Sequence, residues 1–288
     1  MSRNKCVIIL SEKSSGSSAC QNLLTKSDIV NNVDLTRHNK NETLFWTKAA
    51  SMKGRYQIDM VNSEVPIKTK EARQDIIRLL ENNLNSFKPE RGEDIIHRGW
   101  KMLCDRYGPI FLEKSPHHLC QWSALDLIIE CIEKNEDIDF MIIGLVRNPM
   151  DTIYSQFDRF GSPLQEIEKQ WLVAYHNLLL IKEKLGDIVL IVRYEDIVQS
   201  VENLGRALSF CGFDNLNEYS NYFHDLSIGR WKNDASFKYE LSDYTIELAK
   251  RYGYKEDIIT QKVNHFSSMY KLYKNTANAI KYIENKVS

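Results

Sequence analysis

The stretch from Ser11 to Cys20, "SEKSSGSSAC", follows the apolar run "CVIIL" and carries one glycine, one lysine and five hydroxyl side chains. These residue types suit an anion. Gly16 lets the backbone approach a ligand, and the amides at a helix start favour negative charge. The hydroxyls of Ser17 and Ser18 add donors, and Lys13 adds charge. The same serines would serve equally as a helix cap in a solvated loop. The Walker pattern GxxxxGK[ST] is absent.

Three further clusters carry similar chemistry. In "RNPMDTIYS" (147–155), Arg147 and Ser155, two turns into the following helix, can hold one phosphate between them. Pro149 suits the first helical turn and Asp151 its positive end. The plainer reading gives Arg147 to a structural ion pair. In "EKSPHH" (113–118), Lys114 can stabilise developing charge and His117 can carry a proton. The two adjacent histidines point to different sides of a helix or strand, so a shared metal is not expected. A capped helix start with exposed imidazoles is the alternative. In "SIGRWK" (227–232), Gly229 frees the backbone, Arg230 and Lys232 offer charge, and Trp231 offers a flat surface for an adenine ring or a phosphate. A surface turn with one buried indole fits as well.

Regular elements must bring such clusters together. Three segments, "KCVIIL" (5–10), "FMIIGLVR" (140–147) and "DIVLIVRYED" (187–196), have the continuous β-branched content of strands covered on both faces. Weaker strand candidates are "NVDLTRH" (32–38) and "PIFLEKS" (109–115). Helical patterning covers 17–26, 70–86, 95–106, 119–134, 151–160, 164–185, 201–211 and 242–253. The alternation predicts an α/β fold, a central parallel sheet flanked by helices. In such open sheets ligands bind at the carboxyl ends of strands, and all four clusters sit at strand ends. No repeat, low-complexity tract or Pro/Gly linker divides the chain, so residues 1–288 are expected to form a single domain. The part beyond about 255 is expected to be helical.

Composition narrows the classes. With 43% hydrophobic and 27% charged residues and a net charge of −1, the chain resembles a soluble globular protein rather than a nucleic-acid binder. The apolar runs fall far short of the roughly 20 residues that span a bilayer, and the N-terminus lacks the apolar core of a secretory signal. The six cysteines are scattered without a CxxC pair, which predicts reduced core thiols and a cytoplasmic setting.

Together the clusters, in this order and spacing, resemble the sulfotransferases that use 3′-phosphoadenosine 5′-phosphosulfate (PAPS). "RNPMDTIYS" is similar to that family's 3′-phosphate motif, with Arg147 and Ser155 on the matching positions. "VRYEDIV", with the following "LGRALSFCGF", resembles its RYEDL segment, which brings in Arg193 and Tyr194. "SIGRWK" resembles the GRWK loop near the nucleotide, and "FLEKSP" the EKSP/EKTP segment of carbohydrate-type members, whose lysine lies near the transferred sulfuryl group. "KNETLFW" (40–46) fits a K-E-x-x-F-F-like segment and puts Glu42 on that family's glutamate. The resemblance implies a P-loop-like sulfotransferase fold and release of 3′,5′-adenosine bisphosphate, with no metal. Lys13, Ser14, Ser15, Gly16, Ser17 and Ser18 would cradle the 5′-phosphosulfate, and Gly229, Arg230, Trp231 and Lys232 would close on the nucleotide. Glu42 would be the general base, ahead of His117, with Lys13 and Lys114 stabilising charge.

Two departures from the family pattern stand out. Ser14 occupies the place of the usual basic residue, with Lys13 one position early. Pro116 stands where phenol- and steroid-type members carry a histidine. The acceptor is expected to be a small molecule, lipid or carbohydrate, met by segments 47–108 and 156–170. Phe45, Trp46, Trp100 and Tyr107 would either line that pocket or form core. Two other functions share these features: a P-loop-type small-molecule kinase, which would need a magnesium motif not evident here, and an inactive nucleotide- or glycan-binding module. Neither oligomeric state nor acceptor identity follows from the residues.

Overall fold

The apolar runs pair into one parallel sheet. A computed structural model describes residues 3–85, 87–89 and 95–260. In chain order it contains β1 (Asn4–Ser11), α1 (Ser17–Leu24), β2 (Val30–Asn31), α2 (Phe45–Met52), α3 (Thr69–Asn83), α4 (Ile95–Arg106), β3 (Ile110–Lys114), α5 (His117–Cys120), α6 (Trp122–Lys134) and β4 (Ile138–Val146). There follow α7 (Pro149–Phe160), α8 (Leu164–Leu185), β5 (Val189–Arg193), α9 (Tyr194–Gln199), α10 (Gly205–Phe210), α11 (Asp243–Arg251) and α12 (Glu256–Ile259). The strand order is β2-β3-β1-β4-β5, and every pairing is parallel.

The central strand shows why its sequence is apolar without interruption. Its side chains alternate between two cores. Cys6, Ile8 and Leu10 face the core that holds Phe45, Trp46, Trp100 and Trp171. Val7 and Ile9 face Leu23, Leu24, Ile197, Leu204 and Leu208 on the other side. A sheet covered on both faces by helices is the expected α/β arrangement. All six cysteines are free and buried.

Several boundaries differ from the sequence expectation. The segment 32–38 is not a strand. Only Val30 and Asn31 pair with β3. Beyond them side chains replace a ladder: Asp34 N donates to the Tyr107 hydroxyl (3.2 Å), Leu35 N donates to Asn83 Oδ1 (3.2 Å), and Asn83 Nδ2 donates to the Leu35 carbonyl (2.7 Å). The run 187–196 is a strand only to Arg193, and Tyr194 opens α9. The helix expected over 119–134 breaks at Gln121, whose extended backbone separates α5 from α6. The helix expected over 201–211 begins as a 3-10 turn, Val201–Leu204, before α10. Of the helical segment expected after 255, α12 is present, and 261–288 lies outside the described residues. Phe45, Trp46 and Trp100 are core, their ring centroids 4.6–5.1 Å apart in edge-on and tilted contacts.

Candidate active site

The four clusters lie along one edge of the sheet, at the carboxyl ends of β1, β3 and β4 and in the loop after α10. Beyond β1 the chain turns through Ser14 (φ 63°) and Gly16 (φ 90°) into α1. Gly16 is required twice over. Its φ is left-handed, and a Cβ there would lie 2.4 Å from the ring of Tyr194. Ser17 is buried and Ser18 half-buried at the start of α1, where the first amides have no intrahelical acceptor. Ser15 points elsewhere, its hydroxyl 2.8 Å from the Tyr175 hydroxyl in the core. Lys13 donates to the carbonyls of Val61 (2.7 Å) and Asn62 (3.1 Å), in the segment that follows α2. Burial pulls its ammonium below the usual lysine range, against the opposing charges of Glu12 and Glu42. The displaced lysine is thus gripped from outside its own loop.

Arg147 draws three segments together. One Nη donates to the Ser14 carbonyl (2.7 Å) and the other to the Ser227 carbonyl (2.5 Å), while the guanidinium lies 5.1 Å over the ring of Tyr194. The Arg147 carbonyl accepts from Trp171 Nε1 (3.1 Å). Its Nε is buried without a protein acceptor. Asn148 caps α7 by accepting from Met150 N (2.9 Å), and its own amide donates to Glu195 Oε1 (2.9 Å). Asp151 accepts from the amide of Gly229 (2.7 Å), which is left-handed at φ 68°. Burial pushes the Asp151 carboxyl up to about 6, against the pull of Arg147. Ser155 lies half-buried on α7.

Other expected nucleotide contacts are engaged within the protein. Arg193 pairs with Asp196 through Nε (2.7 Å) and Nη (2.6 Å), and donates to the Gly253 carbonyl (2.8 Å). Arg230 pairs with Asp158 (2.7 Å). Trp231 is packed with Met150, Ile153, Tyr154, Ile167 and Phe237 in a small core of its own, so its face is not offered to solvent. Lys232 lies 5.4 Å over that indole.

At the other end stands Lys114, the last residue of β3 and fully buried, donating to Glu42 Oε1 at 2.6 Å. The Glu42 side chain is 17% exposed. His117 begins α5. Burial, and then the charge of Lys13, hold its imidazole well below the usual histidine range, and its Nδ1 is buried without a partner. It therefore stands neutral near pH 7, able to accept a proton. Among the described residues no group of three or more His, Cys, Asp or Glu side chains could hold a metal ion.

Sequence reading missed several members. Val61 and Asn62, which hold Lys13, carry no motif, and their role depends on main-chain carbonyls. Glu113 was seen only as part of a motif, although a carboxylate inside the buried strand "IFLEK" is itself a signal, since such groups are buried only when paired or hydrogen-bonded.

A parallel sheet flanked by helices, with a helix N-terminus, a buried arginine and two lysines gathered at its strand ends, defines an α/β protein. The chain belongs to the sulfotransferase family, whose family model matches residues 7–218. Solved structures agree on the fold. The sulfotransferase domain from the Synechococcus PCC 7002 olefin synthase has a TM-score of 0.54 at 19% identity, over 88% of this chain and 97% of that one. The sulfotransferase domain from the curacin biosynthetic pathway has a TM-score of 0.53 at 17% identity, over 88% of this chain and 99% of that one. No curated protein matches. Among the described residues no helix is long and apolar enough to cross a membrane.

Proposed function

We propose that this chain transfers a sulfuryl group from PAPS to a hydroxyl or amine of a small-molecule, lipid or carbohydrate acceptor and releases 3′,5′-adenosine bisphosphate. The observation that carries the reading is the Lys114–Glu42 pair at the tip of β3, with Lys13 close enough to feel the charge of Glu42. A carboxylate flanked by two cations is what transfer to a hydroxyl calls for: a proton acceptor beside charge that steadies the group in transit. The donor fits the other end. The buried Nε of Arg147 lacks an acceptor, Ser155 follows on α7, and Ser17 and Ser18 stand at the positive end of α1.

The donor supplies a sulfuryl group and a phosphate leaving group. Arg147 and Ser155 hold the 3′-phosphate. The first amides of α1, with Ser17 and Ser18, hold the oxygens at the 5′ end. Glu42 takes the proton from the acceptor hydroxyl as its oxygen bonds to sulfur, and the electron pair of the breaking S–O bond stays on the phosphate. Lys13 and Lys114 balance the charge that gathers there. Neutral His117 stands by as a second proton acceptor. The reading extends to a cytoplasmic setting, supported by six free buried thiols.

A mass-spectrometric screen tests the proposal. With PAPS present, one member of a panel of sugar, lipid, phenol and amine acceptors should gain the mass of one sulfuryl group. Transfer of phosphate from ATP and magnesium, with none from PAPS, would overturn it.

A further inference from the structure

The loop that carries Glu42 is not at rest by itself. Lys40 (φ 59°), Asn41 (φ 56°) and Leu44 (φ 50°) are all left-handed, a conformation that disfavours lysine and leucine in particular. Such backbone persists only where its surroundings hold it. The hold comes from the tip of β3. Thr43 Oγ1 donates to Glu113 Oε1 (2.8 Å), and Ser115 Oγ donates to the same oxygen (2.6 Å). Ser115 Oγ in turn accepts from the amides of Thr43 (3.2 Å) and Leu44 (3.0 Å), and Thr43 Oγ1 accepts from the amide of Phe45 (3.0 Å). His118 Nε2 lies 3.3 Å from Glu113, and its Nδ1 is 2.9 Å from Thr47 Oγ1 on α2.

Adjacent residues of the strand therefore hold adjacent residues of the loop, Glu113 gripping Thr43 while Lys114 grips Glu42. Burying a carboxylate near the end of a covered strand is unfavourable, and an apolar residue would pack there at lower cost. The Glu113 side chain is fully buried, and its bonded oxygen serves the residues that fix the loop. Burial would raise its carboxyl, yet His118 and the hydroxyls of Ser115 and Thr43 hold it below the usual range.

We infer that Glu113, acting through Thr43 and Ser115, is the positioning residue for Glu42. The inference rests on the proposed role of Glu42 as base. A misplacement of about 1 Å can cost about 100-fold in rate, which gives a buried carboxylate at this point a function beyond packing.

The test compares Glu113→Leu, Thr43→Val and Thr43→Ser with the unaltered chain. Rates are read as release of 3′,5′-adenosine bisphosphate from PAPS, with the acceptor from the screen and with water alone. Thr43→Val keeps the shape but loses the hydroxyl. It should lower turnover with the acceptor by about tenfold or more and leave the KM for PAPS unchanged. Thr43→Ser should restore it, and Glu113→Leu, which removes the acceptor shared by Thr43 and Ser115, should follow Thr43→Val. Added to Glu42→Gln, Thr43→Val should cost nothing further, because positioning acts through the carboxylate. An equal further loss in that background would overturn the inference. So would wild-type turnover in both Thr43→Val and Glu113→Leu while Glu42→Gln is slowed, leaving the base assignment intact. Full turnover in Glu42→Gln removes the base assignment, and the inference with it. No release by the unaltered chain under either condition removes the proposed reaction as well.

Discussion

Near Arg147 the contacts run from side chain to main chain, whereas near Glu42 such contacts are joined by pairs of side chains, Lys114 with Glu42 and Glu113 with Thr43 and Ser115. Arg147 is held by the carbonyls of Ser14 and Ser227, Asp151 by the amide of Gly229, and Glu195 by the amide of Asn148. Main-chain groups are present whatever residue bears them, so this end tolerates change in the loops that complete it. The Glu42 end depends on the identities of Lys114, Thr43, Glu113 and Ser115, and on a loop with three left-handed residues. Under the proposed reaction, the end held by main-chain groups binds the donor, and the end held by particular side chains carries the chemistry.

The largest effect expected is at the Glu42 end. Glu42→Gln should lower turnover by about 10²–10⁴-fold, while calorimetry finds the affinity for 3′,5′-adenosine bisphosphate unchanged. Loss of both together would mean that the two ends are a single unit. Unchanged turnover would move the base to His117.

Asp151 offers a second test, at the nucleotide end. Burial raises its folded-state pKa from 3.8 to about 6. The folded chain thus holds a proton that the unfolded chain has lost. The stability contributed is fully present below about pH 4 and is lost as pH rises through about 6, to an extent of about 3 kcal/mol at 1.36 kcal/mol per unit. Asp151→Asn keeps an acceptor for the Gly229 amide and should remove that loss. Chemical denaturation at pH 4 and pH 7 reads it as a smaller fall in stability than in the unaltered chain. An identical fall in both would show that Asp151 titrates like an exposed carboxyl.

The smallest of the three effects concerns Arg147 itself. A charge-assisted hydrogen bond contributes about 1.5–3 kcal/mol. Arg147→Ala should therefore weaken 3′,5′-adenosine bisphosphate by about 10–100-fold more than its analogue without the 3′-phosphate. Equal weakening of both would leave Arg147 only its tie between Ser14 and Ser227.

The contrast between the two ends also explains what could be read in advance. The turn at Arg147 was legible because Arg147, Asn148, Pro149, Asp151 and Ser155 lie on one continuous stretch from strand tip to helix, where local rules of capping and charge apply. Strands β1, β4 and β5 were legible for the same reason, their apolar runs being local. The segment 32–38 was not, because its backbone partners, Asn83 and Tyr107, lie 48 and 73 positions further along the chain and their spacing obeys no period. Arg193 and Trp231 matched motif positions, yet Arg193 is engaged by Asp196, three residues on, and by the distant Gly253 carbonyl, and Trp231 by a hydrophobic cluster; Gly253 and that cluster are neighbours that no local pattern announces.

The sequence by itself determined the α/β alternation, the strand-end placement of three of the four polar clusters, the one at 227–232 lying instead in the loop after α10, and the residue types that suit an anion. Those features follow from periodicity and from residue chemistry, which are properties of short stretches. Tertiary structure alone decided that Lys13 is gripped by Val61 and Asn62, that Lys114 meets Glu42, and that Glu113 holds Thr43. Each of these joins segments 48 to 72 positions apart, and such distances close only when the sheet brings the ends of β1 and β3 side by side.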